Sequence, residues 1–331
     1  MAPAMTGVAP AMSLLFQLFR LFLRSGQRRV LRLRDPVGLR ASLRRTVALT
    51  TFMPFGVARE DIHLGGLPVR VLHNRRRSAR PGHVLLYLHG GGFVFGSPDT
   101  HQAFVARVMI AGGFESAWLP DYRLAPEHPF PAAIDDCLTA WQTLSARAGN
   151  QRLCVAGESA GGNLALLLCQ RIRDLGLARP ERAWLLSPWL DIALGSDDPG
   201  PDFREDLMLG ADPVAARDWV RQRFSAAYAP GMALDDPALS PVHGRLDDLP
   251  PLFVQAGSDE IFAADSLLLR QRADAAGADM TLEVWRGMPH AFAFFTPWLP
   301  EARSAVRRAG HWLRHGQPAP HDTFSPLHQP R

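Results

Sequence analysis

Residues 153–168 read LCVAGESAGGNLALLL, with a serine between two apolar segments. The first segment, residues 153–156, is a short apolar run of the length expected for a buried strand. The second begins at Ala160 and carries leucines at helical spacing. Ser159 is therefore expected in a tight turn between a strand and a helix, and the glycines two residues before and after it leave room for that turn. The amino-terminal N–H groups of the helix would face any negative charge developing near the serine.

Strands and helices alternate on both sides of this motif, which predicts a mostly parallel central sheet with helices on both faces. A tight hairpin around Gly65 and Gly66 precedes the alternation. Catalytic residues are expected just after strands, because ligands bind beyond the carboxyl ends of strands in such sheets. The predicted strands are residues 84–88, 117–122, 153–156, 183–186, 252–255 and 281–285; the predicted helices are residues 102–111, 132–148, 160–175, 264–276 and 301–315.

A glycine-rich loop, His89-Gly90-Gly91-Gly92, follows the strand predicted upstream of the serine. Such a loop leaves backbone N–H groups uncovered and lets a substrate oxygen approach closely. Together with the N–H of Ala160, which follows the serine, it can form an oxyanion hole. No Lys-Ser or Lys-Thr pair follows the glycines, so a phosphate-binding P-loop is excluded.

Two polar residues near these motifs are expected to support the site rather than react. His89 precedes the glycines, so we expect it to be a structural hydrogen-bonding residue. Gly90 is expected to support the site in the same way. Glu158 precedes the serine and is expected to be buried and hydrogen-bonded.

A serine nucleophile needs a base, and in this arrangement the chain order is serine, then acid, then histidine. His290 lies in a loop just beyond the strand predicted at residues 281–285, which is the expected place for the base. The acid holds the imidazole in the correct tautomer. Asp259 and Glu260 both follow the strand predicted at residues 252–255, and the residue chemistry leaves both open as the acid.

The composition is that of an ordinary globular protein: 47% of the 331 residues are hydrophobic and 21% are charged. The net charge of +4 is carried by arginines spread along the chain, and no nucleic-acid-binding motif is present, so nucleic acid is not an expected partner. Cys137, Cys154 and Cys169 are odd in number and lack metal-ligand spacing. We therefore expect the three cysteines to be buried as small hydrophobic residues and to bind no metal. Free cysteines also favour a reducing, cytoplasmic location.

The first apolar run, residues 12–23, is interrupted by Arg20 and is too short and too charged to cross a bilayer. Its positive charges follow the apolar part instead of preceding it, unlike a secretory signal. Leucines recur at helical spacing, which allows an interfacial membrane helix or an amphipathic helix folded onto the body as part of a cap. The cap interpretation is favoured.

Six ordered blocks identify a family resemblance that spans roughly residues 60–312. The chain resembles the hormone-sensitive lipase family, the bacterial esterases of family IV. The blocks are HGGGF at 89–93, YRLAPEHPFP at 122–131, GESAGGN at 157–163, SPWLD at 187–191, SDEI at 258–261 and GMPHAF at 287–292.

The resemblance implies a capped α/β-hydrolase fold, no cofactor, and hydrolysis of short- to medium-chain acyl esters. The resemblance favours Asp259 over Glu260 as the acid, because the family places an aspartate at that position. Members of the family often form homodimers. The site residues it implies are Ser159, Asp259 and His290 as the triad, with Gly91, Gly92 and Ala160 donating to the oxyanion.

The expected organisation is a catalytic domain with two cap segments, because two regions do not fit the alternation. An N-terminal helical cap segment is expected at residues 1–55 and a second cap segment at residues 200–235. The catalytic domain would comprise residues 56–199 and 236–316. The tail, residues 317–331, is rich in proline and histidine and is expected to be disordered.

Apolar aromatic residues near the motifs and in the cap are candidates for the substrate pocket: Phe93, Phe95, Trp189, Phe203 and Trp219. Two other functions stay open on the same fold. The same triad can serve amide, lactone or carbamate hydrolysis. A non-catalytic receptor for a small ligand is disfavoured because the gibberellin receptors, which resemble this family, lack the catalytic histidine that His290 supplies here.

Overall fold

The computed structural model describes residues 12–31, 37–38, 40, 52–77, 79–149, 151–195, 200, 203–210 and 212–320. These residues form an eight-stranded sheet with helices packed on it, so the predicted α/β fold is confirmed. The strands are β1 (Val57–Leu64), β2 (Leu67–Asn74), β3 (Arg80–Leu88), β4 (Phe114–Pro120), β5 (Arg152–Glu158), β6 (Arg182–Leu186), β7 (Leu252–Gly257) and β8 (Met280–Trp285). The main helices are α1 (Leu14–Leu31), α2 (Pro98–Gly112), α3 (Ala132–Ala148), α4 (Ala160–Asp174), α5 (Pro213–Val220), α6 (Ala263–Ala276) and α7 (Pro300–His315).

The strand order is β1-β2-β4-β3-β5-β6-β7-β8. Six neighbouring strands run parallel to one another, in the order β4, β3, β5, β6, β7 and β8. Strand β2 lies antiparallel to both β1 and β4. The predicted hairpin is confirmed, because β1 and β2 pair around Gly65 and Gly66, whose φ angles are 57° and 89°. Glycine adopts these left-handed angles without steric cost.

The central strands are buried on both faces, as their unbroken apolar sequence predicts. Successive side chains of a strand point to opposite faces. In β3, Leu86 and Leu88 join the hydrophobic core on one face, whereas Leu85 and Tyr87 join the core on the other. The expected burial of the cysteines is also confirmed: Cys137, Cys154 and Cys169 are buried free thiols.

Helix α2 begins at Pro98, four residues before the predicted start, because a capping box precedes the apolar residues on which the prediction rested. The Ser97 side chain accepts a hydrogen bond from the Thr100 N–H, and the Thr100 hydroxyl oxygen accepts one from the Ser97 N–H. These contacts satisfy backbone donors of the first turn. Pro98 supplies a φ already suited to a helix.

Helix α1 packs on the body of the protein. Phe16 is buried in the second core, and Phe19 and Leu23 pack against it. A row of leucines on the same helix stays exposed, namely Leu14, Leu15, Leu18 and Leu21. Among the described residues, no helix has both the length and the apolar character that a bilayer crossing requires. Residues 1–11, 41–51 and 321–331 lie outside the described residues, so the proposed ends of the cap and tail segments stay predictions.

Two helices approach unusually closely at Gly310 of α7. A Cβ placed at Gly310 would lie 2.5 Å from the backbone carbonyl carbon of Ala111 in α2. Backbone at that distance cannot move aside as a flexible side chain can. The absence of a side chain at Gly310 therefore allows α7 to pack against α2.

We predict that Gly310→Ala destabilises the protein, although alanine favours a helix by about 1 kcal/mol over glycine. Overpacking against immobile backbone costs about 1–3 kcal/mol, and that cost outweighs the propensity gain. Urea unfolding followed by circular dichroism measures the change. Ala275→Gly, at an exposed position of α6, calibrates helix propensity alone. An unfolding midpoint of Gly310→Ala at or above that of the wild type would contradict the packing explanation.

Candidate active site

Ser159 occupies a strained turn between β5, which ends at Glu158, and α4, which begins at Ala160. Its φ of 55° and ψ of −124° are unfavourable for any residue with a side chain. The turn also approaches its neighbours closely. A Cβ at Gly157 would lie 2.2 Å from the Gly161 carbonyl oxygen, which explains the small residue two positions before the serine. The strain is therefore maintained by the surrounding backbone and holds the serine at the edge of a cavity.

This cavity has a volume of about 290 Å³ and lies where β3, β5 and β8 end. Ser159 and His290 both line it, together with Gly91 and Gly92 from the glycine-rich loop. The sequence motifs after three different strands are thus brought together at one site. The rest of the wall is mostly apolar and comprises Phe95, His101, Glu158, Trp189, Asp206, Met208, Leu209, Trp219, Val220, Phe224, Phe262, Ala291 and Phe294.

The glycine-rich loop runs too close to its surroundings to carry side chains. Gly91 has a φ of 119°, and a Cβ there would lie 2.1 Å from the Phe95 carbonyl oxygen. Gly92 has a φ of 60°, and a Cβ there would lie 2.7 Å from the ring of Phe224. Only glycine meets both requirements, so neither Gly91 nor Gly92 places a side chain between the loop backbone and the cavity.

Glu158, the last residue of β5, binds the glycine-rich loop through its side chain. Its Oε1 accepts a hydrogen bond from the Gly90 N–H and lies 2.8 Å from His101 Nε2. Its Oε2 accepts from the Tyr87 hydroxyl at 2.5 Å. The side chain is 3% exposed, as the sequence led us to expect. His101, on α2, is a contact that the motifs did not reveal.

His89 lies beneath the loop and stacks on Tyr122, with ring centroids 4.2 Å apart. Its Nδ1 lies 2.9 Å from the Gly90 carbonyl oxygen. Burial, with a smaller effect of nearby His101, lowers the pKa of His89 to about 3. The ring is therefore neutral at physiological pH and has the structural surroundings that its sequence position predicted.

His290 pairs with Glu260. Its Nδ1 lies 2.5 Å from Glu260 Oε2, and the other oxygen of that carboxylate accepts from the Gly257 N–H at 2.8 Å. The next residue, Ala291, donates its N–H to Ser187 Oγ, which anchors the loop. Burial lowers the pKa of His290, but the hydrogen bond and charge of Glu260 outweigh this, and the pKa is raised above its ordinary value.

The expected pairing of Asp259 with His290 is wrong. The Asp259 carboxylate faces away: its Oδ2 accepts from Arg20 Nη2 at 3.1 Å, and its Oδ1 accepts from Ser258 Oγ at 3.2 Å. Consecutive residues in this turn direct their side chains to different sides of the backbone, so only one carboxylate can reach the histidine. Both residue types suit that role, and the one sequence signal that separated them, the family resemblance, favoured Asp259.

The aromatic residues proposed for the pocket divide into two groups. Phe95, Trp189 and Trp219 lie on the cavity wall. Phe93 is fully buried and stacks on Tyr228 with ring centroids 3.7 Å apart, and Phe203 is not among the wall residues. The wall residues that sequence reasoning missed lie on α2, in the segment after β6 and in the loops after β7 and β8. They include Asp206, Met208, Leu209, Phe224, Phe262 and Phe294.

The chain is similar to known hydrolases in sequence and in fold. The family described as alpha/beta hydrolase fold matches residues 85–294. An acetyl-hydrolase of Streptomyces hygroscopicus is 38% identical over 72% of this chain and 78% of its own length. The carboxylesterase/phospholipase LipF of Mycobacterium tuberculosis is 34% identical over 83% of this chain and 74% of its own. The crystal structure of an esterase from the bacterial hormone-sensitive lipase family is 31% identical, with a TM-score of 0.81, and covers 92% of this chain and 98% of that one.

The chain belongs to the hormone-sensitive lipase family. It is a carboxylic-ester hydrolase with the α/β-hydrolase fold of that family. The resemblance identified from the six sequence blocks is thereby confirmed.

For this hydrolase we predict that Glu260→Gln lowers kcat by on the order of 10²–10⁴-fold, because the neutral amide no longer stabilises imidazolium. The pKa of His290 is raised by Glu260, and the base must be neutral to act. The acid limb of kcat/KM should therefore lie above about pH 6.5 in the wild type and move to lower pH in Glu260→Gln. Asp259→Asn serves as the comparison and should lose far less activity. A larger kcat loss in Asp259→Asn than in Glu260→Gln would restore Asp259 as the acid.

Proposed function

We propose that the protein hydrolyses short- to medium-chain acyl esters, with Ser159 as nucleophile, His290 as general base and Glu260 as the acid that orients it. The observation that carries this proposal is the meeting of a strained serine and a histidine–carboxylate pair on one apolar cavity. A substrate carbonyl held in that cavity can lie close to both groups.

The reaction proceeds by two acyl transfers. Ser159 Oγ attacks the ester carbonyl while His290 takes its proton, and the imidazolium formed is stabilised by the carboxylate of Glu260. Collapse of the tetrahedral intermediate releases the alcohol, which receives the proton from His290. Water then attacks the acyl-enzyme with His290 again acting as base, and the acid and the free serine are formed.

The tetrahedral oxyanion is bound by the backbone N–H groups of Gly91, Gly92 and Ala160. Ala160 is the first residue of α4, so its N–H belongs to the positive end of that helix. The bond between the Gly90 N–H and Glu158 supports the conformation of the glycine loop. Donors held in place before the reaction need no reorganisation as the charge develops.

The size and chemistry of the cavity support acyl chains of modest length. A volume of about 290 Å³ with a mostly aromatic and aliphatic wall fits a short apolar chain. Phe224, on a π-helical turn (Arg221–Ser225) after α5, packs edge-on against Phe95 and covers Gly92. The name of the Streptomyces relative, an acetyl-hydrolase, points the same way.

We also assign α1 and the segment after β6 to a cap. Arg24 of α1 forms an ion pair with Glu205 of that segment. Met208, Trp219 and Phe224 from the same segment line the cavity. A cap in this position would exclude water from the acyl pocket and set its depth.

Hydrolysis of p-nitrophenyl esters from acetate to palmitate tests the proposal directly. Activity should be greatest with the short chains and be lost in Ser159→Ala, because the attacking oxygen is removed while the backbone turn stays. Circular dichroism and thermal unfolding of the variant check that it folds. Retained hydrolysis in folded Ser159→Ala would contradict the assignment of the nucleophile. A folded wild type that cleaves amides, lactones or carbamates but no simple ester would contradict the substrate class, and one that binds ligands without turnover would favour a receptor.

We predict that Phe224→Ala moves the preferred acyl chain to greater length, because the ring covers the cavity above Gly92. The ratio of kcat/KM for the octanoate ester to that for the acetate ester measures the shift, with an expected rise of roughly tenfold for about two extra methylene groups accommodated. Phe203→Ala, in the same segment but away from the wall, is the matched control. An equal rise in both variants, or none in Phe224→Ala, would contradict this role of the ring.

A further inference from the structure

Arg20 of α1 extends from the cap to the loop that carries the catalytic acid. Its side chain is 10% exposed, and its Nη2 lies 3.1 Å from Asp259 Oδ2 and 3.4 Å from Glu205 Oε1. The Asp259 carboxylate is fully buried and immediately precedes Glu260 in the chain. A cation from the N-terminal helix thus contacts the neighbour of the residue that orients His290.

A buried carboxylate at this position needs compensation, because removing a charge from water is costly unless it is paired. Burial raises the pKa of Asp259, and Arg20 opposes this effect most strongly among the nearby charges. The Ser258 hydroxyl donates the other hydrogen bond. Without Arg20, a second negative charge would stand beside Glu260 without its main counter-ion.

The contacts of Arg20 continue to the loop that carries His290. Ser258 Oγ, which donates to Asp259, accepts a hydrogen bond from the Gly287 N–H at 2.8 Å. A Cβ at Gly287 would lie only 3.4 Å from Arg20 Nη1, so the guanidinium also packs against this loop. The path Arg20–Asp259–Ser258–Gly287 therefore joins the cap helix to the loops after both β7 and β8.

We propose that Arg20 is a positioning residue for ester hydrolysis: by neutralising Asp259, it leaves Glu260 as the carboxylate that acts on His290, and it fixes both catalytic loops to the cap. This proposal rests on the proposed triad of Ser159, His290 and Glu260. It makes the N-terminal helix part of the machinery that sets the rate and not only a wall of the substrate pocket.

Arg20→Met tests this, since methionine keeps an apolar stem and removes the charge. We expect kcat to fall by on the order of tenfold through misplacement of the loops, with KM changing by less than about threefold. The acid limb of kcat/KM should move to higher pH, because an uncompensated Asp259 carboxylate favours protonated His290. A purely structural role of Arg20 would not shift that limb.

The charges that bear on this shift come from several elements. The charges that act on Asp259 differ from those that act on His290. Asp259 faces Arg20 and Arg24 of α1 and Arg204 and Glu205 of the cap, and His290 faces Glu260, Asp206 and Glu158.

The double variant Arg20→Met/Asp259→Asn removes the uncompensated charge and should recover the wild-type acid limb, whereas its kcat should stay low because the loops are still not fixed to the cap. Arg20→Lys keeps the positive charge and should stay close to the wild type in its pH profile. Arg24→Met is the matched control: it removes an arginine from the next turn of α1 that pairs with Glu205 and is 45% exposed. It should leave the acid limb in place.

Wild-type kcat and pH profile in Arg20→Met would overturn the proposal, as would a double variant that keeps the shifted acid limb of Arg20→Met. Thermal unfolding of each variant identifies any that fail to fold. If Arg20→Met fails, the double variant and Arg20→Lys decide the matter, because both must retain the wild-type acid limb. Failure of the triad itself is recognised separately, by full activity in Glu260→Gln.

Discussion

The close approach of backbone around Ser159 is the constraint on which the site depends. A Cβ at Gly161 would lie 2.1 Å from the Leu88 carbonyl oxygen, so α4 passes directly over the end of β3. This contact requires glycines on both sides of the serine and holds its strained dihedral angles. It also sets the glycine-rich loop after β3 beside Ser159. The proposed oxyanion donors and the serine hydroxyl therefore share one rigid support.

Buried carboxylates are the second feature that organises the site, and the partners of each carboxylate decide what it does. Glu158 receives donors from the glycine loop, from Tyr87 and from His101, which suits a structural role. Glu260 contacts His290 and one backbone N–H, which leaves its charge available to the imidazole. Asp259 is paired with Arg20 and is thereby kept apart from the histidine.

The proposed cap, which comprises α1 and the segment after β6, contributes to both of these features. Its aromatic residues close the cavity over the glycine loop, as Phe224 does above Gly92. Its polar residues bind the loop after β7, since Asp206 accepts the Ile261 N–H at 3.0 Å while Arg20 pairs with Asp259. Burial raises the pKa of Asp206 to about 6, against the lowering effect of its backbone donors. The proposed cap thus contacts both the cavity and the loop that carries Glu260.

The sequence alone determined the alternating strands and helices, the turn at Ser159, the glycine loop and His290, because apolar periodicity and glycine requirements are local properties of the chain. Only the tertiary structure decided which of Asp259 and Glu260 meets His290, because both residue types suit the role and the choice depends on the direction of the backbone after β7. The same holds for Phe224 and Arg20. Their partners lie 132 and 239 positions away in the chain, and such contacts follow from packing that no local pattern records.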